Sequence, residues 1–184
     1  MRARDLLCPR PEGLYCSPGD FFIDPVRPVA RALVTHGHSD HARPGHGKVL
    51  ATRETLDIMA LRYGEGFAGS TQATAYGEAL DIGGVSVAFH PAGHVLGSAQ
   101  IAVEHGGLRI GASGDYKRTA DATCVPFEAV PCDVFITEAT FALPVFRHPP
   151  PEEEIARLLK SLAQFPERTH LVGESAILGG ESQI

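Results

Sequence analysis

The sequence predicts an α/β protein in which helices layer on sheets. Three observations carry that prediction: short apolar runs of strand length, two segments with helical apolar spacing, and polar residues gathered where the apolar runs end. At roughly 150 residues per domain, the 184 residues fit about one domain, and they are enough to bury a sizeable core. Fourteen prolines and 20 glycines lean towards turns, while 43% hydrophobic and 21% charged residues exclude a fibre, a coiled coil and a wholly disordered chain.

Taken in order, Phe21-Phe22-Ile23 before Asp24-Pro25, and Arg31 to Thr35 before a histidine-rich segment, read as two short strands that hand polar residues to their C-terminal ends. Sites in α/β sheets sit at that end. Lys48 to Ala51 is a third strand. Thr52 can then cap a helix through Leu56, Met59 and Ala60 that stops near Gly64. Leu80 and Ile82, then Gly83-Gly84, then alternating Val85, Val87 and Phe89, read as a half-buried hairpin. A second hairpin places Gln100 to Glu104 and Leu108 to Ala112 around His105-Gly106-Gly107, and its second strand ends at Ser113-Gly114-Asp115. Asp133 to Thr137 is a last strand, ending at Glu138. Pro149-Pro150-Pro151 opens a helix whose Ile155, Leu158, Leu159 and Leu162 recur at helical spacing, with Glu152, Glu153 and Glu154 suiting the positive end of its dipole.

A net charge of -6 supplies no global basic excess of the kind that marks a nucleic-acid binder, so any such binding must be local. Residues 1–62 carry nine basic and seven acidic side chains against seven and fifteen in the remainder, which puts the positive charge beside the histidine-rich segment. Arg27, Arg31, Arg43 and Lys48 are candidates for phosphate-backbone contacts. Cys8, Cys16, Cys124 and Cys132 lack a paired CxxC and read as free thiols. No apolar run spans a membrane or forms a signal sequence, so the expectation is a soluble cytoplasmic protein with no membrane partner.

The chemistry lies in Thr35-His36-Gly37-His38-Ser39-Asp40-His41, where three imidazoles and a carboxylate crowd one loop after an apolar strand. Such a loop would repel itself when protonated and gains little from burial, whereas neutral imidazoles suit Zn, Mn or Fe and Asp40 adds a harder oxygen. One loop fills only part of the coordination of two metals. His94, in Pro91-Ala-Gly-His-Val-Leu-Gly-Ser98, and Asp115, in Ser113-Gly-Asp-Tyr-Lys117, supply further ligands at other strand ends.

The ordered set Asp24, His36-x-His38-x-Asp40-His41, His94 and Asp115 resembles the metallo-β-lactamase superfamily over most of the chain. Ala92-Gly-His-Val-Leu-Gly-Ser98, with Phe135-Ile-Thr-Glu-Ala-Thr-Phe141, looks like its β-CASP nuclease branch. Gly114-Asp-Tyr-Lys117 with Thr137-Glu-Ala-Thr-Phe-Ala-Leu-Pro144 is most similar to the bacterial DNA-ligase-associated exonucleases, akin to messenger-RNA 3′-end processing nucleases. The resemblance implies a four-layer αββα sandwich. It also implies two divalent ions, Zn2+ with Mn2+ as the alternative, holding His36, His38 and His94 on one and Asp40 and His41 on the other, with Asp115 bridging. Asp24 would orient a ligand or the bound water, Asp40 the nucleophile, and Glu138 would support a leaving-group histidine that is expected from a returning segment and that residues 1–184 lack.

The implied activity is a DNA, or RNA, exonuclease using a two-zinc activated hydroxide, with nucleic acid as partner and DNA ligase or helicase repair proteins as associates. Members of this branch continue through an inserted lid and a returning segment, whereas Leu171 to Gln183 only loosely resembles the stretch that enters the lid. Residues 1–184 therefore read as the N-terminal part of the domain, with the fold incomplete at its C-terminus. Two other readings stand beside the nuclease: a thioester, ester or lactone hydrolase of the same fold, and an inactive truncated metal-binding fragment.

Overall fold

The computed structural model describes residues 1–139, 145 and 149–169. These fall into two compact units, Met1–Glu138 and a second that contains the C-terminal helix. The first unit holds two sheets. After a single helical turn, α1 (Ala3–Leu6), the first sheet comprises β1 (Leu7–Arg10), β2 (Gly13–Cys16), β3 (Phe21–Ile23), β4 (Arg31–Leu33), β5 (His46–Thr52) and β6 (Ala68–Thr74), in that spatial order. Pairing is antiparallel from β1 to β3 and parallel from β3 to β6. The second sheet comprises β7 (Ala79–Ile82), β8 (Val85–Pro91), β9 (Ala99–His105), β10 (Leu108–Ala112) and β11 (Val134–Ile136), ordered β11-β10-β9-β8-β7.

The two expected hairpins are present, with Ile82 paired to Val85 and Leu108 to His105. Strands β1, β2 and β6 were not anticipated. In β6, Ala-Gly-Ser-Thr-Gln-Ala-Thr carries no apolar alternation, because the strand forms the outer edge of its sheet and most of its side chains meet water.

Alternation along the strands sorts apolar residues into two layers. Phe21, Ile23, Leu33 and Leu50 from the first sheet meet Val85, Val87, Phe89, Ile101, Val103 and Ile110 from the second, so the main core lies between the sheets. On the opposite face of the first sheet, Ala32, Val34, Val49 and Ala51 pack against Leu56 and Met59 of α2 (Arg53–Tyr63). An α-β-β layering thus holds within Met1–Glu138. Helix α2 begins as expected, with Thr52 Oγ1 accepting from the Thr55 N–H, and stops at Gly64, whose φ of 84° breaks the helical run.

In the second unit, α3 (Pro151–Gln164) carries glutamates in its first turn and exposes Ile155, Leu159 and Leu162. Among the described residues all four cysteines are free thiols, and no helix is long and apolar enough to cross a membrane. Thr140 to Pro144 of the acidic motif, and Leu171 to Gln183, lie outside the described residues.

Phe89 is fully buried at the centre of the inter-sheet core, where neighbouring strands cannot close over the lost ring. Phe89→Ala should lower stability by about 3–5 kcal/mol in urea unfolding with an unchanged m-value, while Leu61→Ala, at an exposed site, should cost little.

Candidate metal centre

The parallel run β3-β4-β5 points three C-terminal ends the same way, and β8, β10 and β11 of the second sheet finish at the same rim. Asp24 follows β3, the His36–His41 loop follows β4, His94 follows β8, Asp115 follows β10 and Glu138 follows β11. The sheets are tied there by the Ala99 N–H donating to the Thr35 carbonyl at 2.8 Å. Gly114, at φ 54°, lies so close to Thr35 that a Cβ would sit 2.6 Å from its hydroxyl, and this approach brings Asp115 against the histidine loop.

Nε2 of His36, Nδ1 of His38, Nε2 of His94 and the Asp115 carboxylate converge. His36 Nε2 lies 3.0 Å and His94 Nε2 3.2 Å from His38 Nδ1, and Asp115 Oδ2 is 3.8 and 3.7 Å from His36 and His94. One atom from each of the four residues falls within 4.8 Å of the others. The other Asp115 oxygen faces elsewhere, 3.4 Å from His41 Nε2, which is itself 3.6 Å from Asp40 Oδ2. Every metal-ligand residue named from the sequence is thus brought to one place. Asp40 is the most open of them, with 71% of its side chain exposed.

Hydrogen bonding sets which ring nitrogens face the centre. Asp24 Oδ1 accepts from the Thr35 N–H at 2.8 Å, and Oδ2 accepts from the Thr35 hydroxyl at 2.6 Å and from His41 Nδ1 at 2.9 Å. Because the Thr35 hydrogen goes to Asp24, its oxygen can only accept from His36 Nδ1, 3.0 Å away. His36 therefore turns an unprotonated Nε2 inward, and His41, held through Nδ1 by Asp24, turns its Nε2 towards Asp115 and Asp40. His38 Nδ1 lies 3.0 Å from the unprotonated His36 Nε2 and 3.2 Å from His94 Nε2, so three electronegative ring nitrogens crowd one point and repel. A cation relieves that repulsion, and the donor set of imidazole nitrogens with one carboxylate suits zinc.

Electrostatics agree. Burial, with the neighbouring His41, His38 and His94 adding to it, holds His36 well below its ordinary range. Burial and His38 pull His94 down to about 4, against an opposing pull from Glu138. Burial also pulls on His41, but its bond to Asp24 and the charges of Asp24, Asp115 and Asp40 carry it up to about 9. Burial raises Asp115, partly offset by His41. Glu138 donates its backbone N–H to Ser113 Oγ at 3.3 Å, and its charge reaches His94 and Asp115.

Sequence reasoning missed what braces the loops. Thr52 Oγ1 donates to the Gly97 carbonyl at 2.7 Å, and Ser98 Oγ accepts from the His94 and Val95 N–H groups, fixing the His94 turn. At the other end of α2, Arg62 Nη1 donates to the Gly37 carbonyl at 2.6 Å, between His36 and His38. Thr35 stood inside the histidine motif and could have been found there. The contact from Arg62, 25 residues along the chain, left no signal.

No family model matches the chain. A protein described as a probable DNA ligase from Opitutus terrae is 32% identical over 166 residues, covering 85% of this chain and 15% of that protein. Endoribonuclease ysh-1 of Neurospora crassa is 30% identical over 190 residues, covering 84% of this chain and 22% of its own length. Endoribonuclease YSH1 of Gibberella zeae is 30% identical, covering 74% of this chain and 20% of that protein. The chain is a relative of the β-CASP nucleases of the metallo-β-lactamase superfamily. It spans less than a quarter of the length of these curated relatives.

The opposed histidine shifts set how the metal-free protein responds to pH. His36 and His94 sit below their unfolded range, so stability rises as pH climbs from about 4 to 6.5. His41 sits above it, so its contribution is full below 6.5 and is lost as pH rises through 9. Chelator-treated protein should be most stable near pH 6.5, and Asp24→Asn should flatten the alkaline decline in denaturant titrations taken from pH 6 to 10.

Proposed function

We propose that this chain carries the metal centre of a nuclease that hydrolyses phosphodiester bonds in DNA. The observation that carries the proposal is the division of the Asp115 carboxylate, one oxygen towards His36 and His94 and the other towards His41 beside Asp40. A single carboxylate so placed serves two adjacent cation sites. His36, His38 and His94 would hold one ion and Asp40 and His41 the other, with Asp115 available to both. Zinc is the metal the donor set suits, with manganese the alternative. When bound, the ions lower the pKa of water to near neutrality and offset the charge of the phosphate, which an acidic chain would otherwise repel.

The residues themselves do the positioning. Asp24 fixes His41 directly and His36 through Thr35, so both rings arrive already oriented. Asp40, open to solvent, accepts a hydrogen bond from the attacking water and aligns it. Glu138 holds negative charge beside His94 and Asp115. The match to a probable DNA ligase favours DNA, and the endoribonuclease relatives make RNA the competing substrate.

Elemental analysis of the purified chain, followed by cleavage assays on end-labelled single-stranded DNA, double-stranded DNA and RNA, tests this directly. We expect about two ions per chain, falling towards one in Asp40→Ala/His41→Ala, and DNA cleavage that Asp24→Asn reduces about 10–100-fold. Far less than one ion per chain, unchanged by the substitutions, would overturn the metal centre. Preferential cleavage of RNA would overturn the DNA assignment, and turnover of a thioester or lactone without cleavage of any nucleic acid would assign small-molecule hydrolysis.

A further inference from the structure

A second charged feature lies away from the metal centre, at the opposite end of β4. Arg31, Lys48 and Ser70 are direct neighbours across β4, β5 and β6, in register. Alternation places them on the side of Leu33 and Leu50, which face the second sheet, so they stand where the inter-sheet core opens. Gln72 pairs with Leu50 in the next row. The turn after β7 forms the facing lip, and the two enclose a groove of about 370 Å³ that includes Asp81 and Gly83.

Two like charges on paired strands stand about 5 Å apart at the backbone and destabilise a sheet unless something offsets them. Among the described residues neither Arg31 nor Lys48 forms an ion pair, although other cations of the chain find carboxylates. Arg31 is half-buried and anchored through Nη1 to the Gly19 carbonyl at 3.2 Å, so its guanidinium is held in place. The one acidic group in the groove, Asp81, is engaged by its own turn, where Oδ1 accepts from the Gly84 N–H at 3.2 Å. A fixed guanidinium, an ammonium, a hydroxyl and an amide thus line one wall, and the single carboxylate of the groove, Asp81, forms no ion pair with either cation among the described residues.

We propose that this groove binds a phosphate group, with Arg31 and Lys48 neutralising its charge and Ser70 and Gln72 donating to its oxygens. Neither the motif set nor the metal-centre residues include it, and it needs no cleavage to operate. Along β4 and its continuation it lies five residues from His36, roughly 16 Å at about 3.3 Å per residue, so one phosphate cannot occupy both places. A free phosphate compound or a phosphate of a nucleic-acid backbone would present the same oxygens.

Lys48, Lys117 and Lys160 are the only lysines, which makes acylation footprinting read by mass spectrometry unusually clean. Chelator-treated protein would be acylated alone, with inorganic phosphate, and with a single-stranded oligodeoxynucleotide, using Lys160 of α3 as the internal reference. At ligand ten times its dissociation constant, the Lys48 rate should fall about tenfold while Lys160 stays constant. Arg31→Gln should weaken that protection, and the charge-matched Arg4→Gln should preserve it. Protection by inorganic phosphate alone identifies a small phosphate ligand, and protection by the oligonucleotide alone identifies the backbone of a nucleic acid. An unchanged Lys48 rate with both, or equal protection in Arg31→Gln and wild type, would overturn the site. Because the metals are absent and no cleavage is read, that failure is separate from any failure of the nuclease reading.

Discussion

The carboxylate of Asp24 accepts three hydrogen bonds, two from Thr35 and one from His41, and the order of the metal centre depends on it. A half-buried carboxylate gains from such donors, which offset its lost hydration. In satisfying itself, Asp24 commits the Thr35 hydroxyl as a donor, which turns His36 to present Nε2, and holds His41 in the same sense. Asp24 adopts a φ of 44°, unusual for a residue with a Cβ, and this strain is the local cost of setting a carboxylate directly behind the histidine loop.

Helix α2 gives the centre its rigidity. Its first turn grips the His94 loop through Thr52 and Gly97, and its last turn grips the His36–His38 loop through Arg62 and Gly37. Leu56 and Met59 bury its apolar side on the first sheet, so both grips are referred to the same packed layer. Gly37 fits because Ile58 of the same helix fills the space a side chain would need. One helix therefore sets the distance between two loops that lie 56 residues apart in the chain and whose nitrogens meet at 3.2 Å.

Charge is distributed to match. The metal centre gathers Asp24, Asp40, Asp115 and Glu138 around a histidine cluster in which burial disfavours the charged forms of His36 and His94, an arrangement suited to cations. Arg31 and Lys48 occupy the mouth of the inter-sheet core at the other end of β4, an arrangement suited to anions. The sheet scaffold separates the two, so a net charge of -6 describes neither region.

Much of this was legible in the sequence because it depends on local pattern. The alternation of Val85, Val87 and Phe89, the Gly83-Gly84 and Gly106-Gly107 turns, and the Thr52 cap each act over a few residues, and each element formed where those signals lie. The ligand residues were legible because few structural roles call for three histidines and an aspartate in six positions. Strand β6 was not legible, since an exposed edge strand needs only the hydrogen-bonding groups of β5 and imposes no apolar pattern. The Arg62 bond to Gly37, the tautomers set through Thr35, the split of Asp115 between two sets of nitrogens, and the pairing of Arg31 with Lys48 were decided by the tertiary structure alone. Each depends on the distance between strands or loops far apart in the chain, a distance set when the sheets pack and absent from any local stretch of residues.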